Sequence, residues 1–175
     1  AVHRSTDGGD TWWSASAGIT YGHVGCLAIS PAFATDHTLF AGAWSGGVFR
    51  TMDGASSWEP AGGELETARI DDLAVSPEFA SDRTVFAATS QGLARSTNAG
   101  DGWTWLTQGL TDTLVTALAL SPNYASDRCL FAGTYTGGIF RSDDRGDTWS
   151  LRAATGGPIT ALAISPAFAA DGVLI

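Results

Sequence analysis

One eight-residue stretch constrains this chain more than any other. Ser5-Thr6-Asp7-Gly8-Gly9-Asp10-Thr11-Trp12 returns in related form at Thr51 to Trp58, Ser96 to Trp103 and Ser142 to Trp149, with starts 46, 45 and 46 residues apart. A period that regular implies stacked supersecondary units, because a single unit of this size cannot bury its own apolar face. Each copy is a short polar turn that runs straight into a tryptophan.

The sequence between the turns fills in the unit. Val115 to Leu120 is an apolar run closed by Ser121-Pro122, here strand A. A loop carrying Tyr124 and Asp127 leads to strand B, Cys129 to Gly133. Strand C is Gly138 to Ser142, and strand D is Thr148 to Arg152 beyond the polar turn. Short runs bounded by Gly, Pro, Asp and Ser read as an antiparallel meander. Strand A recurs at Cys26 to Ile29, Asp72 to Val75 and Ala161 to Ile164, each time followed by Ser-Pro. The A–B loop keeps one aromatic (Phe33, Phe79, Tyr124, Phe168), read as a plug. It also keeps one Asp (Asp36, Asp82, Asp127, Asp171), read as an acceptor of backbone N–H groups.

Four strands per repeat of 45–46 residues give an all-β fold, a β-propeller of four-stranded antiparallel blades with about four repeats. Residues 1–175 read as a single propeller domain or a propeller fragment. Its units are approximately 1–13 plus 159–175, 24–60, 70–106 and 115–152. Trp12, Trp58, Trp103 and Trp149 are expected to fill space between blades. The first residues read as strands C and D and the last as A and B. Closure of a ring within the chain is one alternative, but a four-bladed ring is tightly curved. Exchange of half-blades between copies, or membership of a longer propeller, is favoured.

The turn pattern Ser-x-Asp-x-Gly-x-Thr-Trp, met at every position by Ser142, Asp144, Gly146, Thr148 and Trp149, resembles the Asp-box or BNR repeat of β-propellers. The wider unit is similar to bacterial BNR-like repeat proteins. The resemblance implies a box in each C–D turn, in a family that includes sialidases, xyloglucanase-type glycoside hydrolases, sortilin-type receptors and photosystem assembly factors. Box residues Asp7, Trp12, Asp53, Trp58, Asn98, Trp103, Asp144 and Trp149 are read as structural. Box two has Ala55 for Gly and Ser57 for Thr; box three has Asn98 for Asp and Gly102 for Thr. A folding element tolerates such decay better than a catalytic one. Calcium is disfavoured, because one box would have to supply about five or more oxygens and Asn98 removes a charge. No metal and no cofactor are expected.

Charge and site chemistry narrow the function. The net charge is −9 and all nine basic residues are Arg, which disfavours nucleic acid. No apolar run approaches a membrane span. The sequence opens inside a repeat, so no leader is read from it; a secreted or envelope location is the expectation. Cys26 and Cys129 fall at unmatched repeat positions and read as free thiols. Arg4, Arg50, Arg95 and Arg141 share one strand-C position, so they cannot converge on one ligand as sialidase chemistry requires. Nothing selects a carboxylate pair for glycoside hydrolysis. Function is expected on the rim of B–C and D–A loops, where the repeats disagree. Tyr21, Trp44, Glu64, Arg69, Asp112 and Tyr135 are the candidates there. The reading is a non-catalytic scaffold that binds protein or glycan, or assembles with copies of itself. The alternative is a fragment or divergent member of a sialidase- or xyloglucanase-like glycoside hydrolase.

Overall fold

The computed structural model describes residues 1–20 and 22–175. Three four-stranded antiparallel sheets follow one another along the chain. The first is β3 (Val24–Ile29), β4 (Leu39–Ala43), β5 (Val48–Thr51) and β6 (Glu59–Pro60). The second is β7 (Ile70–Val75), β8 (Val85–Thr89), β9 (Gly92–Ser96) and β10 (Thr104–Trp105). The third is β11 (Val115–Leu120), β12 (Leu130–Thr134), β13 (Gly138–Ser142) and β14 (Ser150–Ala154). Strand A of each lies beside strand A of the next, β3 against β7 and β7 against β11, so the sheets radiate from a common inner edge. Each strand A carries an irregularity near its start, at Val24/Cys26, Ile70/Asp72 and Val115/Ala117.

Before the first sheet, β1 (His3–Arg4) pairs with β2 (Trp13–Ser14) as a separate two-stranded sheet. At the other end Ile164 bridges Leu174, and Ala163 and Ile175 exchange backbone hydrogen bonds of 2.7 and 2.9 Å. No hydrogen bond joins these two hairpins among the described residues. Ring closure within the chain, one of the three outcomes weighed from sequence, is therefore not what the structure adopts.

The A–B connection is more ordered than a loop. It forms one helical turn per repeat: α1 (Phe33–Asp36), α2 (Phe79–Asp82), α3 (Tyr124–Asp127) and α4 (Phe168–Asp171). The Asp at the end of each turn accepts the N–H two residues on, at 2.8–2.9 Å, from Thr38, Thr84, Cys129 and Val173. Its other oxygen accepts the hydroxyl of the Ser before Pro, as Ser30 does to Asp36 at 2.6 Å. The aromatic plugs meet a strand-B Phe edge-on, Phe79 on Phe40 and Tyr124 on Phe86.

The repeated turns close by one scheme. In the fourth, Ser142 donates to Asp144 at 2.7 Å and accepts Gly146 N–H at 2.8 Å. Asp144 accepts the Thr148 N–H at 2.9 Å and the Thr148 hydroxyl at 2.5 Å. The first turn uses Ser5, Asp7 and Thr11 in the same way. In the third, Asn98 replaces the carboxylate and still accepts Gly102 N–H at 3.0 Å. Two consecutive residues take positive φ in every turn, with Ala55, Ala99 and Arg145 standing where glycine is easiest.

Neighbouring sheets are joined by three kinds of grip. The strand-C Arg reaches the next turn: Arg50 donates to Ala99 O at 2.8 Å and pairs with Asp101, and Arg95 donates to Arg145 O at 2.9 Å and pairs with Asp147. Arg4 donates to Gly54 O in the same manner. The indole N–H reaches back, Trp58 to Ala15 O and Trp103 to Ala61 O, both at 2.8 Å. The Trp backbone N–H is held as well, by Ala17 O, by the Glu64 carboxylate and by Gln108 O. Trp58, Trp103 and Trp149 are accordingly 5–6% exposed. Trp12 corrects the expectation: it is 63% exposed, because no sheet of this chain lies against it.

Candidate functional site

The B–C and D–A loops share one rim. Trp44 N–H bonds to His23 O at 2.9 Å, and Tyr135 N–H bonds to Leu114 O at 2.9 Å, so the two aromatics hold equivalent exposed positions. Around Trp44 the candidates converge. The His23 ring stacks on the indole with centroids 4.1 Å apart and planes 17° from parallel. The Arg69 guanidinium lies 5.2 Å from the indole centroid, a cation–π distance. Asp71 anchors that Arg through two contacts, at 2.8 and 2.7 Å. The second Asp71 oxygen, Oδ2, is buried and meets no partner among the described residues. The result is an exposed aromatic surface with a cation fixed over it.

The next residue plays a different part. Asp72 accepts Leu118 N–H at 2.8 Å from the neighbouring sheet and Leu73 N–H at 2.8 Å from its own. Burial pushes its carboxyl above the ordinary value, and those two N–H groups pull against the shift. Burial also pushes the nearby Cys26 thiol up to about 12, and Asp72 adds to the effect. Cys26 and Cys129 are free, and both thiols are held neutral.

Three candidates lie apart from the Trp44 group. Asp112 accepts Leu114 N–H at 3.1 Å and the Thr136 hydroxyl at 2.5 Å, tying the third D–A loop to the third B–C turn. Burial works against ionisation there, but bonds from Thr136 and Thr134 leave its carboxyl below the ordinary value. It stands beside Tyr135, on the third sheet, two interblade steps from Trp44 on the first. Glu64 departs from the expected rim position. Its carboxylate accepts Trp103 N–H at 2.9 Å, so the side chain turns toward the third polar turn and joins two sheets. Its own and the Trp103 N–H hold it below the ordinary range. Tyr21 lies outside the described residues.

Comparison with known proteins bears on the fold. No family model matches the sequence, and no curated protein matches it. Solved structures do match. An ancestral GH74 enzyme is 19% identical with a TM-score of 0.66, over 87% of this chain and 21% of its own. YCF48 bound to D1 peptide is 18% identical with a TM-score of 0.67, over 94% of this chain and 52% of its own. The extracellular domain of the hybrid two-component system protein BT4673 from B. thetaiotaomicron is 17% identical with a TM-score of 0.65, over 88% of this chain and 19% of its own. The fold is a β-propeller. The chain spans about a fifth of the GH74 enzyme and about half of YCF48. No helix among the described residues is long and apolar enough to cross a membrane.

Proposed function

We propose that this chain is a non-catalytic Asp-box propeller scaffold, extracellular or in the cell envelope, that binds a protein segment on the rim around Trp44. The observation that carries this reading is the exposed indole with Arg69 fixed over it and His23 stacked on it. Aromatic and Arg side chains presented together by a rigid scaffold are typical anchors for a partner. The likeness to YCF48, solved with a peptide, supports a peptide-binding role for such blades. The polar turns lie in the connections between strands C and D and act as hydrogen-bonded locks, which supports the Asp-box reading.

Peptide and glycan arrays probed with the wild-type chain and with Trp44→Ala test the proposal. The expected result is peptide binding that Trp44→Ala and Arg69→Ala abolish. Blank peptide arrays, or binding indifferent to both changes, overturn it. A glycosidase panel is expected to stay blank; turnover on a xyloglucan-type or sialoside substrate would favour the hydrolase reading that the GH74 likeness keeps in view.

A second reading, self-association through the terminal hairpins, is favoured by the exposed Leu27 and Ile29 on the outer face of β3 and by the exposed Trp12. Light scattering decides it. A monomer that stays monomeric on concentration removes the reading.

A further inference from the structure

On the opposite rim, a cavity of about 410 Å³ lies between the second and third sheets, where the helical turns meet the polar turns. Glu78, Arg95, Thr97, Tyr124, Arg145 and Asp147 are among its lining residues. The repeat supplies an internal control. The joint between the first and second sheets carries Ala32, Phe79 and Ala99 where this joint carries Glu78, Tyr124 and Arg145. Three apolar side chains are thus replaced by an acid, a phenol and a guanidinium at a single joint.

None of the three polar groups is needed by the scaffold. The Tyr124 ring meets Phe86 edge-on at 5.8 Å, much as Phe79 meets Phe40 and Phe168 meets Phe131 at 5.6 Å. The ring is the plug, and the hydroxyl is surplus to it. Tyr124 is 2% exposed, yet it lines the cavity, and no described residue hydrogen-bonds its hydroxyl. Burial, the largest influence, pushes the phenol up to about 12 while Arg95 and Arg145 pull against it. It therefore remains a neutral donor. Arg95 and Asp147 are committed to each other at 3.0 Å. Glu78 and the Arg145 guanidinium make no ion pair with any described residue, and both are exposed beside the cavity.

We propose that this cavity binds a small zwitterion of the α-amino-acid type, up to dipeptide size, with its carboxylate on Arg145 and the Tyr124 hydroxyl and its ammonium on Glu78. A guanidinium fork matches a carboxylate geometrically, and a phenol O–H completes the set of donors. The volume falls within the range of about 300–1,000 Å³ typical of small-molecule sites.

Calorimetric titration of the whole chain with dialanine and glutamate tests this, with acetate and methylammonium as the separate halves. The expected result is binding of dialanine or glutamate at least tenfold tighter than either half. Tyr124→Phe, Arg145→Ala and Glu78→Ala each install what the sister joint already carries, and Ala99 holds φ +60° where Arg145 holds +69°. All three variants are expected to melt close to the wild type and to bind at least tenfold more weakly, whereas Trp44→Ala binds unchanged. The proposal is overturned by absence of binding to both zwitterions, by acetate binding as tightly as dialanine, or by variants that fold and bind like the wild type.

Discussion

The first and third polar turns have much the same internal hydrogen bonds and opposite surroundings. In the first, Ser5, Asp7 and Thr11 close the full cycle, yet Trp12 stands 63% exposed and turns its indole N–H to its own Gly9 O at 3.0 Å. In the third, a weaker cycle built on Asn98 ends in a Trp103 that is 6% exposed and bonded to the neighbouring sheet. Local sequence closes the turn, and a neighbouring sheet buries the tryptophan. Conformation and packing are separable here.

The widest test of that contrast is truncation of the two indoles. Trp103→Ala is expected to cost about 3–5 kcal/mol in urea unfolding, as large aromatic deletions from a core do. Trp12→Ala is expected to stay within about 0.5 kcal/mol, as exposed substitutions do. Equal losses would mean that Trp12 is covered in solution.

Glycines at the joints come next. A Cβ on Gly109, at φ +84°, would lie 2.2 Å from Trp149 O. A Cβ on Gly8, at φ +78°, would meet nothing within 4 Å. Gly109→Ala should cost about 3 kcal/mol and Gly8→Ala about 1 kcal/mol, since only the first adds a clash to the left-handed strain. Similar thermal shifts for the two would show that the third sheet is not seated as described.

The Arg grips should divide in the same way. Arg50 spans two sheets, whereas Arg141 pairs within its own turn, with Asp143 at 2.6 Å. Arg50→Met is expected to cost about 1 kcal/mol and Arg141→Met less than about 0.5 kcal/mol.

The narrowest test uses acid. The Ser57 hydroxyl, then the Thr51 hydroxyl and the Ser57 N–H, hold the Asp53 carboxyl well below its ordinary 3.8. Thr11 and Ser5 do the same for Asp7. A carboxyl depressed by folding stabilises fully above its unfolded value, and that stabilisation fades as pH falls through the folded value. The stability gap between wild type and Asp53→Ala should therefore be open at neutral pH and close in strong acid. Asp7→Ala should behave alike, because the cycle does not depend on the neighbouring sheet. A gap that is constant with pH would detach these bonds from ionisation.

Much of this architecture was legible because it repeats. Ser-Pro marked the end of strand A, and the Gly-rich turns marked the C–D hairpins. The helical turn between A and B was missed, since four residues such as Tyr124 to Asp127 are too short to show a period. The grip of Arg95 on Arg145 O was hidden because a main-chain acceptor leaves no mark on the sequence. Trp12 was misjudged because burial belongs to the neighbour and not to the motif. At the rim, Trp44 and Arg69 were singled out, but their stacking was not, and Glu64, expected as a rim residue, instead holds the Trp103 N–H. The polar joint at Tyr124 was overlooked although it broke the repeat, a Tyr among Phe and an Arg among Gly and Ala.

Most of the interblade grips have a peptide carbonyl as acceptor: Gly54, Ala99 and Arg145 for the guanidinium groups, and Ala15 and Ala61 for the indoles. A carbonyl is present whatever side chain drifts into its position. Duplication of a unit would therefore deliver donors and acceptors already matched, and later mutation at the acceptor would cost the joint little. Such a chain can lengthen by whole repeats while each copy diverges freely on its rims.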